Sequence, residues 1–173
     1  MACSLIGGIV AGCRDGSGGI KEIKIKVIQS VATVAANFTV TSGDVAIASG
    51  SRSLWYTYYI EKETASLTDT STVNVQNGTR FWTPELKIVI NKLRAAMRNE
   101  VEVLAQVAVQ IAVRDANDNY WLVGKENGLD LITSVGQTGV ARGDRSGYEL
   151  TFQGKESIPI CSMTSAVYDT LVT

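Results

Sequence analysis

The most constraining feature of this chain is a run with a hydroxyl or amide side chain at every second residue. From Ser66 to Gln76 the sequence reads Ser-Leu-Thr-Asp-Thr-Ser-Thr-Val-Asn-Val-Gln. A strand with such a face cannot enter an apolar core, because its polar groups would lose their hydrogen bonds to water. We therefore expect this face to meet water. A two-residue period places these side chains on one side of the strand: Thr68, Thr70, Thr72, Asn74 and Gln76.

An aromatic run precedes the polar strand. Residues 54–63 read Leu-Trp-Tyr-Thr-Tyr-Tyr-Ile-Glu-Lys-Glu, and aromatic and β-branched residues favour strands. We predict that the two runs join at Thr64-Ala65 into one long β-hairpin, which ends at the turn dipeptide Asn77-Gly78. The predicted hairpin carries three carboxylates: Glu61, Glu63 and Asp69.

The stretch after this hairpin predicts an alternation of strand and helix. Residues 86–90, Leu-Lys-Ile-Val-Ile, indicate a strand, and a helix-like run extends from Asn91 to about Ala105. Further strands are expected from Val107 onward. The helix has one apolar stripe, which we predict to pack against a sheet. The residues of that stripe are Leu93, Met97, Val101 and Leu104.

The predicted fold is mainly β, of the α+β class. About eight strands and one helix suggest a β-sandwich or barrel-like subunit with one packed α-helix and a long β-hairpin. The length of 173 residues suits a single domain over residues 1–173. Residues 1–19, rich in glycine and serine, are expected to form a flexible N-terminal arm, and residues 162–173 a C-terminal tail. No run approaches the ~20 apolar residues that a membrane-spanning helix needs.

The composition argues against an enzyme. The chain has no histidine, which excludes a Ser-His-Asp or Cys-His nucleophile system and any imidazole metal ligand. Its three cysteines, Cys3, Cys13 and Cys161, show no Cys-x-x-Cys spacing. A formal net charge of −1 gives no general attraction to nucleic acid or to acidic membranes. We expect no catalytic residues, no cofactor and no metal.

Two local patterns suggest binding sites that their surroundings argue against. Asp115, Asn117 and Asn119 imitate a calcium loop, but Tyr120 stands at the sixth position, where that loop requires glycine. We predict a hairpin turn there instead. The aromatic residues of 55–59 are suited to stacking on nucleic-acid bases, yet few basic residues flank them. Aromatic residues that belong to a core or to a subunit interface are the preferred interpretation.

The order of several motifs resembles one known family. Residues 18–160 resemble bacteriophage tail tube proteins, also called major tail proteins. The resemblance is to the form found in phages of Bacteroidetes-type bacteria. The motifs are Gly18-Gly19-Ile20-Lys21, the run 55–75, Asn77-Gly78-Thr79-Arg80-Phe81-Trp82 before residues 86–90, Val113-Arg114-Asp115 with 119–124, Gly136-Gln137-Thr138-Gly139 and Gly147-Tyr148-Glu149-Leu150-Thr151-Phe152.

The resemblance implies a structural protein of the virion, made in the cytoplasm of the bacterial host. Its subunits would close into sixfold rings that stack into a hollow tube, through which double-stranded DNA passes without specific binding during ejection. The other partners would be tail proteins such as a sheath or a terminator, with no membrane involved. Residues 1–19 and 162–173 are our candidates for contacts between stacked rings.

A conduit for DNA needs a wall without basic clusters, because lysine and arginine attract phosphate. A channel lined instead by Lys24 and Lys26 would contradict this interpretation. The candidate lumen-facing residues are Glu61, Glu63, Thr68, Asp69, Thr70, Thr72 and Asn74.

Two other classes of function remain open. The first is a different phage structural role, namely a head-completion, baseplate or capsid decoration protein on a similar β scaffold. The second is a soluble or lipid-anchored carbohydrate-binding β-sandwich, which would present a platform of surface aromatic residues.

Overall fold

The computed structural model describes residue 8, residues 16–28 and residues 38–172. The described chain is mainly β, with two sheets and one helix of substantial length, as the sequence predicts. The strands are β1 (Ile20–Val27), β2 (Phe38–Thr41), β3 (Asp44–Ile47), β4 (Tyr56–Tyr59), β5 (Ala65–Asn74), β6 (Thr79–Asn91), β7 (Val109–Asp115), β8 (Tyr120–Val123), β9 (Asp130–Gln137), β10 (Gly147–Gln153) and β11 (Cys161–Met163). The helices are α1 (Ala95–Leu104), α2 (Ser165–Asp169) and a 3-10 turn at Ser49–Ser51.

The larger sheet has seven strands in the order β2-β3-β11-β8-β7-β1-β4. Strand β7 lies near its centre, and Val109 through Val113 are all buried. Alternate side chains of a strand project from opposite faces, so burial of five successive residues means that both faces of β7 are covered. Among the described residues, strand β4 is one edge of this sheet, since β1 is its only neighbour there.

The smaller sheet has four antiparallel strands in the order β5-β6-β10-β9. Its inner face packs against one face of the larger sheet, and the cluster between them includes Leu86, Ile88 and Phe152 from the smaller sheet with Ile23 and Ile111 from the larger. The arrangement is therefore a sandwich of two sheets.

A second hydrophobic cluster covers the opposite face of the seven-stranded sheet. Ala112 of β7 faces this cluster together with Trp55, Leu122, Tyr168 and Leu171. Because Ala112 lies between Ile111 and Val113 of the first cluster, the two clusters share β7 as a common wall.

Helix α1 is shorter than predicted, and the predicted stripe is only partly correct. Val101 and Leu104 are buried, and Met97 packs against the core. Leu93 lies before the helix and is 37% exposed. The reason is local: Lys92 has a positive φ of 71° and Arg94 is extended, so the chain turns sharply before the helix begins.

The predicted pairing of the long hairpin is wrong. Residues 54–63 and 66–76 lie in different sheets, because β4 pairs with β1 while β5 pairs with β6 over ten residue pairs. A long hairpin does exist, but Asn77-Gly78 is its turn rather than its end, and Gly78 adopts the positive φ of 63° that this turn requires. Positive φ at Leu54 and Glu63 breaks the aromatic run at both ends.

A buried carboxylate supports the base of this hairpin. The backbones of Trp82 and Glu156 exchange two hydrogen bonds of 2.8 and 2.9 Å, which continue the pairing beyond the end of β10. The Glu156 carboxylate, 5% exposed, accepts the backbone N–H groups of Glu126 and Asn127 at 2.9 and 3.0 Å. Burial raises the pKa of Glu156, although these hydrogen bonds oppose that shift.

The C-terminal residues do not form the free tail that the sequence suggested. Residues 162–172 fold back on the same subunit, where Tyr168 and Leu171 are each 2% exposed. The last described residue, Val172, exchanges backbone hydrogen bonds with Trp55 and Arg52. The physical reason is burial, since two large apolar side chains complete the second cluster. Most of the predicted arm 1–19 lies outside the described residues.

Two lysines on one face of β1 form hydrogen bonds within the subunit, and the first of them holds this C-terminal region. Lys24, 8% exposed, donates to the carbonyl oxygens of Tyr168 and Leu171, both at 3.0 Å, and its Nζ lies 4.3 Å from the centre of the Tyr168 ring. Lys26 donates to the carbonyl oxygen of Ser51 at 2.8 Å. Both ammonium groups are thus engaged within the subunit.

Lys24→Met should lower the free energy of unfolding by on the order of 2 kcal/mol, because two carbonyl oxygens near the end of α2 lose their donor. Urea denaturation would measure this loss. Lys62→Met is the matched control, since Lys62 is exposed and its replacement should change stability by less than about 0.5 kcal/mol. Equal stability of the two variants would contradict the assigned role of Lys24.

Candidate functional site

The outer face of the four-stranded sheet is mostly polar, although Val89 and Val135 flank Glu149 in one of its rows and Phe81 lies opposite Thr72. Residues paired across neighbouring strands project from the same face, so the register defines rows of side chains. One row contains Thr68, Glu85, Gln153 and Asp130. The next row contains Ser66, Lys87, Thr151 and Thr133. Hydroxyl and carboxylate groups therefore dominate a surface that no other described element covers.

The charged residues of this face are mostly acidic. The strands contribute Glu85, Asp130 and Glu149 against a single lysine, Lys87. Lys87 forms an ion pair with Glu85 at 3.0 Å, and Glu149 pairs with Arg145 at 2.8 Å. The only lysine on these strands is thus neutralised by its neighbour, and the face offers no cluster of free basic groups for phosphate.

Some of the predicted lumen residues share this face. Thr68, Thr70, Thr72 and Asn74 are all exposed on one side of β5. The polar strand with a water-facing side is therefore confirmed as a structural feature. Residues of β9 and β10 complete the polar face to which this strand belongs, and sequence reasoning did not select them. The alternation Glu149, Thr151, Gln153 was the signal available for them.

The three predicted carboxylates lie elsewhere. Glu61 and Glu63 are in the connection between β4 and β5, where Glu61 accepts a hydrogen bond from Asn91 and Glu63 adopts a positive φ of 62°. Asp69 projects from the opposite side of β5 to the threonines, since its strand partner is the buried Pro84. Its Oδ2 accepts the backbone N–H of Ile160 at 3.0 Å.

Both edges of this sheet are open within the described residues. Strand β5 has only β6 beside it, and β9 has only β10. An open edge presents unpaired N–H and C=O groups to any strand that approaches it. The sheet thus combines two free edges with an uncovered polar face.

The aromatic run is divided between interior and surface. Trp55 is fully buried and donates from its indole nitrogen to the Ser51 carbonyl at 3.0 Å. Tyr58 donates to Glu100 of α1 at 3.1 Å, and burial, with the nearby Glu100 carboxylate, raises its pKa. Tyr56 and Tyr59 are 46% and 84% exposed. Trp55 confirms the expectation that some of these aromatic residues belong to the core. Whether the others belong to a subunit interface stays a prediction.

The calcium-like loop is a hairpin turn, as predicted. Asp115 Oδ1 accepts the backbone N–H groups of Asn117 and Asn119, both at 2.8 Å, and Oδ2 accepts the Asn119 side chain at 3.0 Å. Burial works against ionisation of Asp115, but these hydrogen bonds outweigh it and hold its pKa below the usual value. Its oxygens are therefore committed to closing the β7–β8 turn.

No protein-family model, curated protein or solved structure matches this chain. The resemblance to tail tube proteins therefore rests on the motifs quoted from the sequence. Among the described helices, none has the length and apolar character needed to cross a membrane.

Asp115→Asn should lower the free energy of unfolding at about pH 7 by on the order of 1 kcal/mol, because a charged acceptor of several hydrogen bonds is lost. The depressed pKa of Asp115 means that its stabilising effect is complete above about pH 4 and is lost as the pH falls further.

Urea unfolding across this range should therefore show the stability difference between the variant and the unmodified chain shrinking as the pH falls below about 4. Asp130→Asn is the control, since Asp130 is an exposed carboxylate without a hydrogen bond among the described residues. A stability difference that persists unchanged in acid would contradict the assigned role of Asp115.

Proposed function

We propose that this chain is a structural subunit whose copies join side by side into a ring, with the four-stranded sheets forming the wall of a central channel. In this proposal the rings stack into the tail tube of a bacteriophage, and the genome passes through it. The observation that carries the proposal is the combination of two open strand edges with one polar, uncovered face in a single sheet.

The two edges support ring closure. Pairing of residues 65–70 of β5 in one copy with β9 in the next would satisfy the free backbone groups along this part of β5, and repetition around a ring would close the four-stranded sheets into one continuous wall. An isolated subunit leaves both edges of the four-stranded sheet open within the described residues, and the bulge of β9 opposite Thr151 and Phe152 is a protective feature of the kind that soluble monomers use.

The polar face supports a channel for DNA. Its threonines give a wall that wets readily, and its excess of acidic over basic residues avoids attraction to phosphate. The burial of Lys24 and the internal hydrogen bond of Lys26 are consistent with this arrangement, because neither lysine is on the polar face.

The carbohydrate-binding alternative has weaker support. It requires a platform of coplanar surface aromatic residues. Tyr56 and Tyr59 are the most exposed tyrosines of β4, but they are three positions apart on a strand, so they project from opposite faces. The other phage structural roles share the same subunit scaffold and differ in assembly, which microscopy distinguishes.

The direct test of the proposal is the state of assembly. The purified chain should form rings with a central channel, and stacks of such rings, in negative-stain micrographs as its concentration is raised. Isolated single rings without stacks would favour a head-completion or decoration role. A chain that stays monomeric at every concentration in analytical ultracentrifugation would refute the proposal.

A variant of the β9 edge provides a sharper test. Thr133→Lys with Val135→Lys places two charges on an exposed edge strand, where lysine discourages pairing with another strand. The subunit should remain folded by circular dichroism, while ring formation should fall by at least about tenfold.

The matched control for this variant is Thr39→Lys with Thr41→Lys, which places the same charges on exposed positions of β2, an edge of the other sheet. Rings should form normally from the control. Normal rings from the β9 variant, or loss of rings from both variants, would count against pairing of β5 with β9.

A further inference from the structure

The distal half of the β5–β6 hairpin has no partner within the described part of the chain. Every residue from Ser71 to Arg80 is exposed, and Val73 and Val75 are 63% and 88% exposed. A two-stranded ribbon with both faces in water is at best marginally stable. This segment, residues 71–80, is called the hairpin tip below, and its apolar side chains are suited to contact with another molecule.

A cleft lies beside the other end of β6, near Ile90. It opens between the free edge of β4 and helix α1 and has a volume of about 780 Å³. Tyrosine rings and the apolar side chains of Ile60, Ile90 and Met97 line it, with the Arg94 guanidinium and the Glu100 carboxylate among them. The cleft thus combines a largely apolar lining with a row of backbone groups on β4 that no other described strand pairs.

The hairpin tip and the cleft of one subunit are too far apart to meet. Thr79 begins β6 next to the tip, and Ile90, near the other end of this strand, lines the cleft. Eleven residue steps separate them, which corresponds to roughly 36 Å along an extended strand. Contact between a tip and a cleft therefore requires two copies of the chain.

We propose that the hairpin tip of one copy occupies the cleft between β4 and α1 of a second copy. Residues 71–74 of β5 add to the free edge of β4 as an extra strand, a recognised mode of docking for extended segments. Both strand segments are four residues long. Val73 and Val75 then lie against the apolar lining of the cleft.

Charge supports the same pairing. Arg80, opposite Val73 in the hairpin, makes no ion pair within the described part of the chain. Glu100 in the cleft uses one carboxylate oxygen to accept the Tyr58 hydroxyl. Docking of the tip brings the free guanidinium to a carboxylate that has an oxygen to spare.

The geometry also gives this contact a direction. The tip and the cleft are different surfaces at opposite ends of β6, so the contact is heterologous and adds copies end to end without closing. This inference rests on the proposed function, for which it supplies the contact between successive rings. Each contact is small, but a ring makes all of its contacts together, which raises the overall affinity.

Two variants test the contact from its two sides. The tip variant, Val73→Ser with Val75→Ser, removes the apolar side chains, and the cleft variant, Ala96→Arg, adds bulk and a charge that repels Arg80. Each variant alone should form rings that do not stack in negative-stain micrographs. Ala166→Arg, at an exposed position of α2, is the matched control and should stack normally.

Mixing the two variants gives a result that only a tip-in-cleft contact predicts. Rings of the cleft variant keep intact tips, and rings of the tip variant keep intact clefts, so the mixture should produce stacks of two rings and no longer tubes. Long tubes from the tip variant alone would overturn the inference. The absence of paired rings from the mixture would overturn it equally.

A cross-linking experiment separates this inference from the proposed ring. A chain with Val75→Cys and Ala96→Cys, treated with a short bismaleimide, should give a ladder of covalent multimers above the background that the native cysteines produce in the unmodified chain. A ladder from chains that form no rings would support this contact and refute the ring. Rings without a ladder would support the ring and refute this contact.

Discussion

The structure depends on the burial of β7 on both of its faces. Ile111 and Val113 contribute to the cluster between the two sheets, and Ala112 to the cluster beneath the C-terminal residues. A strand whose side chains are buried on both sides needs cover on both sides, because a large apolar side chain such as that of Ile111 forfeits about 1.5–3 kcal/mol of burial when it is exposed. The four-stranded sheet supplies one cover, and the segment from β11 to Leu171 supplies the other.

This double cover explains why the polar face is left outside. The four-stranded sheet turns its apolar side, including Leu86 and Phe152, toward β7. Its other side then has no apolar layer to meet, and the threonines of β5 remain in water. The same division leaves β5 and β9 as open edges, so the features that support assembly are consequences of how the core is closed.

The hairpin tip and the cleft are both surfaces that the subunit's own core leaves exposed. Strand β6 is long enough to serve the core with its second half while its first half, next to the tip, extends beyond it. In that first half, Phe81 and Trp82 are supported by Lys155 and by the Glu156 backbone. A subunit that extends a hairpin beyond its own core and leaves an apolar cleft at the opposite end has the surfaces of a repeating assembly.

The sequence predicted that the candidate site is polar and faces water, but it predicted only some of the residues that form it. Alternation in β5 identified the water-facing threonines correctly, because side-chain direction along a strand has a period of two whatever its neighbours are. It failed for Glu61 and Glu63, whose placement depends on where the chain leaves β4. The residues of β9 and β10 that complete the face depend on sheet order, which alternation does not contain.

The sequence by itself determined the mainly β class, the identity of most strands, the Asp115 turn and the polarity of β5, because each follows from local spacing and side-chain chemistry. Only the tertiary structure decided which strands pair. An open strand accepts any partner with a compatible face, so β5 pairs with β6, and β4 pairs with β1 instead of β5. It also decided that residues 162–172 belong to the core, since Tyr168 and Leu171 acquire their role only from the surface that β7 presents to them.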